Sequence, residues 1–499
     1  MNAFPILTPE FLQLLIIVCL STPFLIPVVK RAAKVIPMIQ IAFVSVFLVS
    51  AVLNPADLPM KAVFGGWNRM RGVEILFDHT SLLFIAAAYI VFLAVFVYAL
   101  SGKKEWQYYF LMNLILSTLT ALFVANDLFN IYVTLELLSL LSYLMISYEK
   151  RSRQIWASLK YMILGAVGFN IFLIGTALVY AHTGTLNMTV LSSMKTDATL
   201  PFLMIFSALL IKSGVFFYSI PETRSESSTT ISAILSGIII KAGLFHIIRI
   251  SSMLNSPLIN TYLLWTGVIS AVAGTLIMLT QRDIKLILAF STMSQVGFIL
   301  AGGKIFGAEY AFAHAIIKAL LFLSAGTIIK HYGSRNIERI QTMKKRLSLN
   351  NSLPLLIGFF STAGLPFFLG SLFKKQIVYN LNPVLNLLLS LVSLGTTIAV
   401  GKIVLSVHYS FSFERLTPRT LSITFLAMVS LITGVYRTLP NLAVMHPGES
   451  LLFFSVGIAL SLFLKNRTKV FYPNLLFKTR HVLGIYYLIL GLLAGLSVL

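Results

Sequence analysis

The sequence is poor in charged residues. Only 11% of its 499 residues are charged, whereas about 25% is usual in a soluble globular protein. Hydrophobic residues make up 58%, the mean hydropathy is +0.90, and many apolar runs approach the length of a bilayer-spanning helix. These features exclude a soluble globular protein. They predict an all-α polytopic membrane protein with about 14–16 transmembrane helices.

Acidic residues are especially few. The chain has 16 acidic and 38 basic residues, which gives a net charge of +22. The basic residues gather in alternate short loops, as at Lys103/Lys104, Lys150–Arg153 and Arg335–Arg346. Loops of this kind remain in the cytoplasm when a membrane protein inserts. We therefore expect a multi-pass protein of a prokaryotic cytoplasmic membrane, embedded in the lipid bilayer, with its N-terminus outside. The distribution argues against nucleic acid as a partner.

Residues for common cofactor chemistry are also missing. The single cysteine, Cys19, excludes a disulfide framework, a thiolate iron–sulfur site and a cysteine-based zinc site within the chain. The sequence shows neither a phosphate-binding loop of the ATPase type nor a dinucleotide-binding fingerprint, and no haem-type histidine pair is evident. We therefore predict no cofactor, no metal and no catalytic residue in this chain.

Sixteen apolar segments are candidate spans. They are residues 9–29, 36–54, 80–100, 108–126, 128–148, 158–181, 200–220, 231–253, 260–281, 284–303, 309–329, 353–375, 385–407, 419–437, 449–465 and 482–498. Residues 64–77 are too polar and glycine-rich to span, and are predicted to form an external hairpin or a re-entrant stretch. The predicted units are residues 1–107 (N-terminal helices and hairpin), 108–255 (first five-helix repeat), 256–407 (second five-helix repeat) and 408–499 (C-terminal helices).

The division into repeats rests on polar residues that recur inside apolar segments. Each of four positions returns after about 160 residues, in the pairs Glu136/Gln295, Lys160/Lys318, Lys212/Lys374 and Lys241/Lys402. Each unit holds five spans, and five is an odd number. The second unit must therefore enter the membrane from the opposite side, which predicts inverted repeats of the kind that many secondary transporters contain.

Two of the lysines stand beside predicted helix breaks. Lys212 is followed by Ser-Gly and then by Pro221, and Lys374 follows a segment that runs from Gly364 through a proline to Gly370. Glycine and proline interrupt helices, and the freed backbone groups then need a cavity, water or polar side chains. The sequence predicts two broken helices, each with a lysine next to its break.

The buried titratable residues are the candidates for function. Glu136 and Lys212 could form an ion pair that changes with protonation, and His314 and Lys318 share a helical face. With Lys241 and Lys374 they predict a row of groups that exchange protons, since ionisable residues at membrane depth mark ion and proton pathways. The alternative for the first pair is a static ion pair. The secondary candidates are Lys160, Lys402, Glu222 and Asp283, and for the two lysines snorkelling to an interface is the alternative.

Several motifs recur in a fixed order from about Phe64 to Leu439. They are Gly65-Gly-Trp, Gly72-Val-Glu, Asn126-Asp-Leu-Phe, Lys160-Tyr-Met-Ile-Leu-Gly, Ile211-Lys-Ser-Gly, Ser232-Ala-Ile-Leu-Ser-Gly, Asp283-Ile-Lys-Leu, His314-Ala-Ile-Ile-Lys, Arg335-Asn-Ile-Glu and Gly364-Leu-Pro. In these motifs the chain resembles the antiporter-like membrane subunits of complex I, Mrp-type sodium/proton antiporters, and membrane-bound hydrogenase and sulfur-reductase complexes.

The resemblance implies that Glu136 and Lys212 form the first proton pair and that Lys374 is the terminal lysine of the second half. Lys241, His314 and Lys318 would connect them. A lysine at position 374 is more similar to Mrp D-type and complex I N-type subunits than to M-type subunits. The implied partners are other membrane subunits of a hetero-oligomeric complex, protons, sodium and, in the redox relatives, a peripheral redox arm.

Two departures from the family pattern concern the proton route. Where the family commonly has Leu-Pro-Asp-Ala-His, this chain has Ile220-Pro-Glu-Thr-Arg224, which retains an acid but replaces a titratable histidine by arginine. A second family histidine, one turn before His314, is replaced by Tyr310. These changes indicate a divergent branch.

Two other functions are compatible with a polytopic membrane protein. A self-contained transporter for a small solute would need a central cavity with converging polar groups, whereas the buried polar residues here are predicted to form a line. A membrane scaffold for a redox complex would tolerate neutralisation of Glu136 and of Lys374. The favoured prediction is a proton- or cation-translocating subunit of a multi-subunit complex.

Overall fold

A computed structural model describes most of the chain. The described residues are 7–70, 72–194, 199–215, 223, 225–441 and 447–465. The secondary candidate Glu222, the Pro221 break and the predicted span 482–498 lie outside them. Within the described ranges, eleven helices are long and apolar enough to cross a membrane, so the predicted all-α polytopic architecture is confirmed.

The first half of the chain contains ten helices and two strands in the described residues. They are α1 (Pro9–Ser21), α2 (Leu25–Val28), α3 (Ile36–Leu53), β1 (Met60–Val63), β2 (Glu74–Phe77), α4 (His79–Ala99), α5 (Trp106–Leu122), α6 (Leu128–Ile146), α7 (Ser152–Thr183), α8 (Met188–Ser193), α9 (Thr199–Lys212) and α10 (Thr229–Leu254). The strands pair antiparallel, with Met60 opposite Phe77, so the segment predicted as a hairpin or re-entrant stretch is a hairpin.

The second half continues with nine helices in the part of the chain that the structure describes. They are α11 (Pro257–Thr280), α12 (Ile284–Ala301), α13 (Ile305–Tyr332), α14 (Ile337–Thr342), α15 (Leu349–Ala363), α16 (Ser371–Tyr379), α17 (Pro383–Ser406), α18 (Pro418–Thr438) and α19 (Pro447–Lys465). Proline at the first position starts α11, α17 and α18, where its missing N–H has no helical partner to lose. The predicted span 353–375 is interrupted between α15 and α16.

Two turns have the same hydrogen-bond pattern. Before α6, the Asp127 carboxylate accepts from the N–H groups of the first helical turn, and residue 127 bridges to Asn187 at the start of α8. Before α12, Asp283 caps the helix in the same way and bridges to Asn336 at the start of α14. Carboxylate and amide side chains at these positions satisfy N–H groups that would otherwise lack partners.

Helices α10, α12 and α13 form the centre of the bundle. Residues 230–250 of α10 are all buried, and α13 contacts α4, α10, α12, α15 and α18. Helix α7, in contrast, is buried at only 10 of its 32 positions, as expected for a helix that faces lipid. The titratable residues Lys241, His314 and Lys318 therefore lie on the helices that are most completely enclosed.

Candidate functional site

Lys212 ends helix α9 and lies in a closed, apolar site. Gly214 follows in a left-handed conformation (φ +75°), which ends the helix two residues after the lysine. The Lys212 Nζ donates to the Ser139 hydroxyl on α6 and lies 5.3 Å from the ring centre of Tyr161 and 5.8 Å from that of Phe169, both on α7. The free space beside it is about 10 Å³, at the lower limit for one water molecule.

Glu136 is placed differently from the prediction. It lies on the exposed side of α6, beside the Tyr132 hydroxyl, and within the described residues it has no ion pair with Lys212. The lysine instead contacts Ser139, one turn further along α6. The structure therefore does not bring the predicted pair together, because Glu136 is directed out of the bundle.

Lys241 and His314 are in direct contact at the bundle centre. The Lys241 Nζ lies 2.7 Å from His314 Nδ1, and each side chain is 1% exposed. Lys241 follows a π-helical turn (Leu235–Ile239) in α10, and its Nζ also donates to the Ser236 carbonyl at 3.0 Å. A π-turn breaks the regular helical hydrogen-bond ladder and is frequent at functional sites. Here the Ser236 carbonyl, which lies within the π-turn, accepts the hydrogen bond from Lys241.

A ring contact and then two hydrogen bonds lead from this pair toward the second half. The Tyr310 ring lies 6.2 Å from the His314 ring, and the Tyr310 hydroxyl donates to the Gln295 amide oxygen on α12. Gln295 Nε2 then donates to Thr396 on α17 at 3.2 Å. The residue that replaces a family histidine thus connects His314 to Gln295, with a hydroxyl in place of an imidazole.

Lys318 and Lys374 follow on neighbouring helices. The Lys318 Nζ donates to Ser291 on α12, one turn before Gln295. The Lys374 Nζ donates to the Thr362 carbonyl at 2.9 Å and to Ser393 on α17 at 3.2 Å. Ser393 lies one turn before Thr396 on α17. The hydrogen bond from Lys374 and the hydrogen bond from Gln295 therefore reach neighbouring residues of the same helix.

Lys374 is also beside a large cavity. Helix α15 ends at Gly364 in a left-handed conformation (φ +84°), and α16 resumes at Ser371, so the predicted break is present and Lys374 lies in the first turn after it. The cavity has a volume of about 690 Å³ and is lined by α16, α17 and α19, with Asn386 and Ser390 among its polar residues. Lys374 is 4% exposed and forms part of its wall.

The secondary candidates lie away from this row. Lys160 is half-buried on α7, 5.9 Å from the Trp156 ring centre, and Lys402 on α17 donates to the Leu279 carbonyl at 2.6 Å. Asp283 caps α12 and forms an ion pair with Arg335 at 2.8 Å. These contacts give Asp283 a structural role and leave Lys160 as a residue that lines a smaller cavity of about 290 Å³.

Sequence reasoning missed the hydroxyl residues that contact the lysines. Each of Lys212, Lys318 and Lys374 has one serine neighbour on another helix, namely Ser139, Ser291 and Ser393. Serine and threonine are common in membrane helices, where they bond to their own helix or to neighbours. Their positions opposite the lysines depend on how the helices pack, which the sequence does not state.

The fold defines the chain as a polytopic membrane protein, and titratable side chains lie buried inside its helical bundle. Residues 125–399, more than half of the chain, match the family described as "NADH:quinone oxidoreductase/Mrp antiporter, TM". The chain therefore belongs to that family, as its motifs predicted.

Individual relatives agree with this assignment. The chain is 27% identical over 384 residues to the D-type subunit of the Na(+)/H(+) antiporter of Bacillus subtilis (strain 168), an alignment that covers 72% of this chain and 76% of the relative. It has the fold of a chain in the membrane-bound sulfane sulfur reductase, an archaeal respiratory membrane complex, with a TM-score of 0.79 and 25% identity over 90% of this chain and 99% of that one. For a chain in the Mrp complex from Dietzia sp. DQ12-45-1b, the TM-score is 0.74 and the identity 23%, over 92% and 97%.

Proposed function

We propose that this chain is the proton-translocating, antiporter-like subunit of a multi-subunit membrane complex, similar to the D-type subunit of Mrp antiporters. The proton would move along Lys212, Lys241, His314, Lys318 and Lys374. The observation that carries the proposal is the contact between Lys241 and His314, because it joins a lysine of the first unit to a histidine of the second at the enclosed centre of the bundle. Ammonium, imidazole and hydroxyl groups all exchange protons.

At the Lys241–His314 contact, the protonation of one side chain affects the protonation of the other. A lysine that donates to His314 Nδ1 requires that nitrogen to be unprotonated. If a proton reaches His314, two positive charges lie 2.7 Å apart in a poorly screened interior, and their repulsion drives a proton away from one of them. Each arrival at one group therefore favours departure from the other, which is the elementary step of a relay.

The two helix breaks give the relay its ends. Lys104, Arg151, Lys285 and Arg335 lie together on one face of the bundle, called here the basic face. Helix α9 runs toward that face and ends at Lys212. The cavity beside Lys374 extends along α16 to its C-terminal end at Tyr379. We propose that the basic face is cytoplasmic, in agreement with the positive-inside rule, and that the N-terminus is outside.

The same geometry supports an inverted duplication. The turn at Asp127 and Asn187 recurs at Asp283 and Asn336 with the same capping and bridging hydrogen bonds. Helix α6 begins at the first turn and runs to the basic face, but α12 begins on the basic face itself. Equal turns at opposite ends of the bundle are what two units of opposite orientation would produce. The two lysines differ in their position relative to the helix ends. Lys212 is the last residue of α9, whereas Lys374 lies in the first turn of α16.

The exposed position of Glu136 supports a partner subunit. It is near the middle of α6, among exposed apolar residues such as Val133, Leu137 and Leu140. An acidic side chain at the centre of a lipid-facing helix costs about 3 kcal/mol. A second membrane subunit that covers this side of α6 would remove that cost and bring a cation to Glu136, so that the proton row would continue across the interface.

The proposal is tested by proton flux in vesicles that contain the purified complex. We expect Lys241→Met and His314→Gln each to reduce flux to the leak of empty vesicles, because each removes an exchangeable proton from the central contact. His246→Gln is the matched control, since His246 is a fully buried histidine on the same helix as Lys241, next to Phe245 and outside the row. Full flux in an assembled His314→Gln complex would contradict the relay, and equal loss in His246→Gln would indicate a packing effect.

A further inference from the structure

The basic face contains a cavity that the proton row does not use. It has a volume of about 550 Å³ and is enclosed by the ends of α4 and α13 and the beginnings of α7, α10, α12 and α18. We call it the basic crater. Seven basic and two acidic side chains line it. A volume of this size fits a small molecule.

The acidic side chains of the basic crater are already engaged. Glu149 accepts a hydrogen bond from Lys104 at 3.0 Å and lies 3.5 Å from Arg151. Partial burial alone would raise the pKa of Glu149, but Lys104 and Arg151 outweigh it and hold that pKa below its ordinary value. Glu226 lies 3.4 Å from Arg335. Both carboxylates are therefore already paired with Lys104, Arg151 or Arg335.

Four further cations surround the same space. Arg153, Lys285, Lys330 and Arg419 have no carboxylate within ion-pair distance among the residues that the structure describes. Lys285 is 6% exposed, and its Nζ donates only to neutral groups, chiefly the carbonyl of residue 227 at 2.6 Å. Like charges held around one cavity repel each other and raise the local potential, which favours a bound anion.

The neutral groups of the basic crater include hydroxyls, which can donate a hydrogen bond to an anion. The hydroxyls of Ser101, Ser152, Ser228 and Thr229 line it. Helix α7, which is 32 residues long, begins there with Arg151 at its N-cap position and no side chain bonded to its first N–H groups. A phosphate group offers several strong acceptor oxygens, and it is bound in proteins by this combination of guanidinium, ammonium, hydroxyl and helix N–H donors.

We infer that the basic crater is a binding site for a phosphate group, carried either by a phospholipid headgroup or by a soluble phosphate compound. The bound anion would neutralise Arg153, Lys330 and Arg419 and fix the ends of α7, α13 and α18 relative to one another. The site is separate from the proton row, and its occupancy is measured by binding, so the inference does not depend on the proposed transport function.

The test measures equilibrium binding of radiolabelled pyrophosphate to the purified, delipidated complex in detergent. The variant Arg153→Gln/Lys330→Gln removes two cations at the mouth of the crater, and we expect it to weaken binding on the order of tenfold or more, since charge-assisted bonds to phosphate are the strong ones. Lys344→Gln/Arg346→Gln is the matched control, because it removes the same two charge types from exposed positions on the connector between α14 and α15. Unchanged thermal unfolding midpoints establish that both variants are folded.

A parallel measurement distinguishes the two sources of phosphate. Native mass spectrometry of the complex before delipidation reports any phospholipid that the wild type retains and the Arg153→Gln/Lys330→Gln variant loses. Such a lipid assigns the phosphate to a headgroup, whereas pyrophosphate binding without a retained lipid assigns it to a soluble compound; both results support the site. The inference is overturned if neither ligand binds the wild-type complex, as when a partner subunit fills the crater. It is equally overturned if the control variant weakens binding as much as the crater variant.

Discussion

The surroundings of Lys212 and Lys374 differ although both lysines lie next to a helix break. Among the described residues, Tyr161, Phe169 and Ser139 surround Lys212, and the space beside it holds one water molecule at most. Lys374 is hydrogen-bonded to a carbonyl and a serine, and it forms part of the wall of a cavity of about 690 Å³. In the part of the chain that the structure describes, the first half is therefore closed around its lysine and the second half is open beside its own.

This difference has a direct meaning for a transporter. Under the proposed function, a proton would reach or leave Lys374 through the cavity beside it, whereas at Lys212, among the described residues, it would pass through side chains or after a movement of α9. A pathway that is open at both ends at once would let protons leak across the membrane. One closed and one open half is the arrangement that prevents a leak, and alternation between the two states would give net transport.

The largest effect is expected at the closed site. Lys212→Met should abolish proton flux by the complex, because methionine fills similar space and no water can replace the lost ammonium in so small a volume. The substitution also removes the hydrogen bond between Lys212 and Ser139, which can change stability, so assembly is measured first. A correctly assembled Lys212→Met complex with normal flux would show that the first half is not part of the path.

A chemical measurement of access sharpens the comparison. Cys19 is buried, so in a Cys19→Ser background new cysteines report their own surroundings. Ser390→Cys, in the cavity beside Lys374, should react with a small water-soluble thiol reagent about tenfold faster or more than Gly168→Cys, in the site beside Lys212. An added Cβ at Gly168 would make an ordinary contact, 3.4 Å from Ile211. Equal reaction rates would remove the distinction between a closed and an open half.

The sequence predicts the helices and their breaks, but it does not predict which side of each helix packs against the bundle. The breaks were predicted, because Gly364 and the glycine after Lys212 interrupt apolar runs, and helix bounds such as Ile284–Ala301 agree with the predicted 284–303. The outward direction of Glu136 was not predicted. Helix α6 is apolar on every side, so its sequence lacks the amphipathic pattern that indicates which side faces the bundle.

The cavity volumes beside Lys212 and Lys374 could not be predicted from the sequence either. They depend on distant contacts, such as Tyr161 and Phe169 across the α7–α9 interface on one side and the meeting of α16, α17 and α19 on the other. Glycines beside both lysines give the same sequence signal at each break. Whether helices close over a polar group is decided by shape complementarity over many side chains, which a local pattern does not contain.

The smallest effect is expected from the serines that contact the lysines. Ser139→Ala removes the hydroxyl that accepts from Lys212 in a nearly dry site, so flux should fall about tenfold, as for loss of a hydrogen bond to a charged group. Ser393→Ala should reduce flux only a few-fold, since Lys374 keeps the Thr362 carbonyl and adjacent solvent. The ratio of the two initial rates is the measurement, and a larger loss in Ser393→Ala would reverse the assignment of closed and open sites.

The central claim, that protons leave the row through Lys374, is tested most directly by one substitution at that residue. Proton flux is measured in vesicles that contain either the Lys374→Met complex or the Lys304→Met complex, the latter altering an exposed lysine outside the row. We predict that Lys374→Met reduces flux to the leak of empty vesicles while Lys304→Met retains the wild-type rate. Wild-type flux in an assembled Lys374→Met complex would contradict the account, because the cavity beside that residue would then not be the end of the proton path.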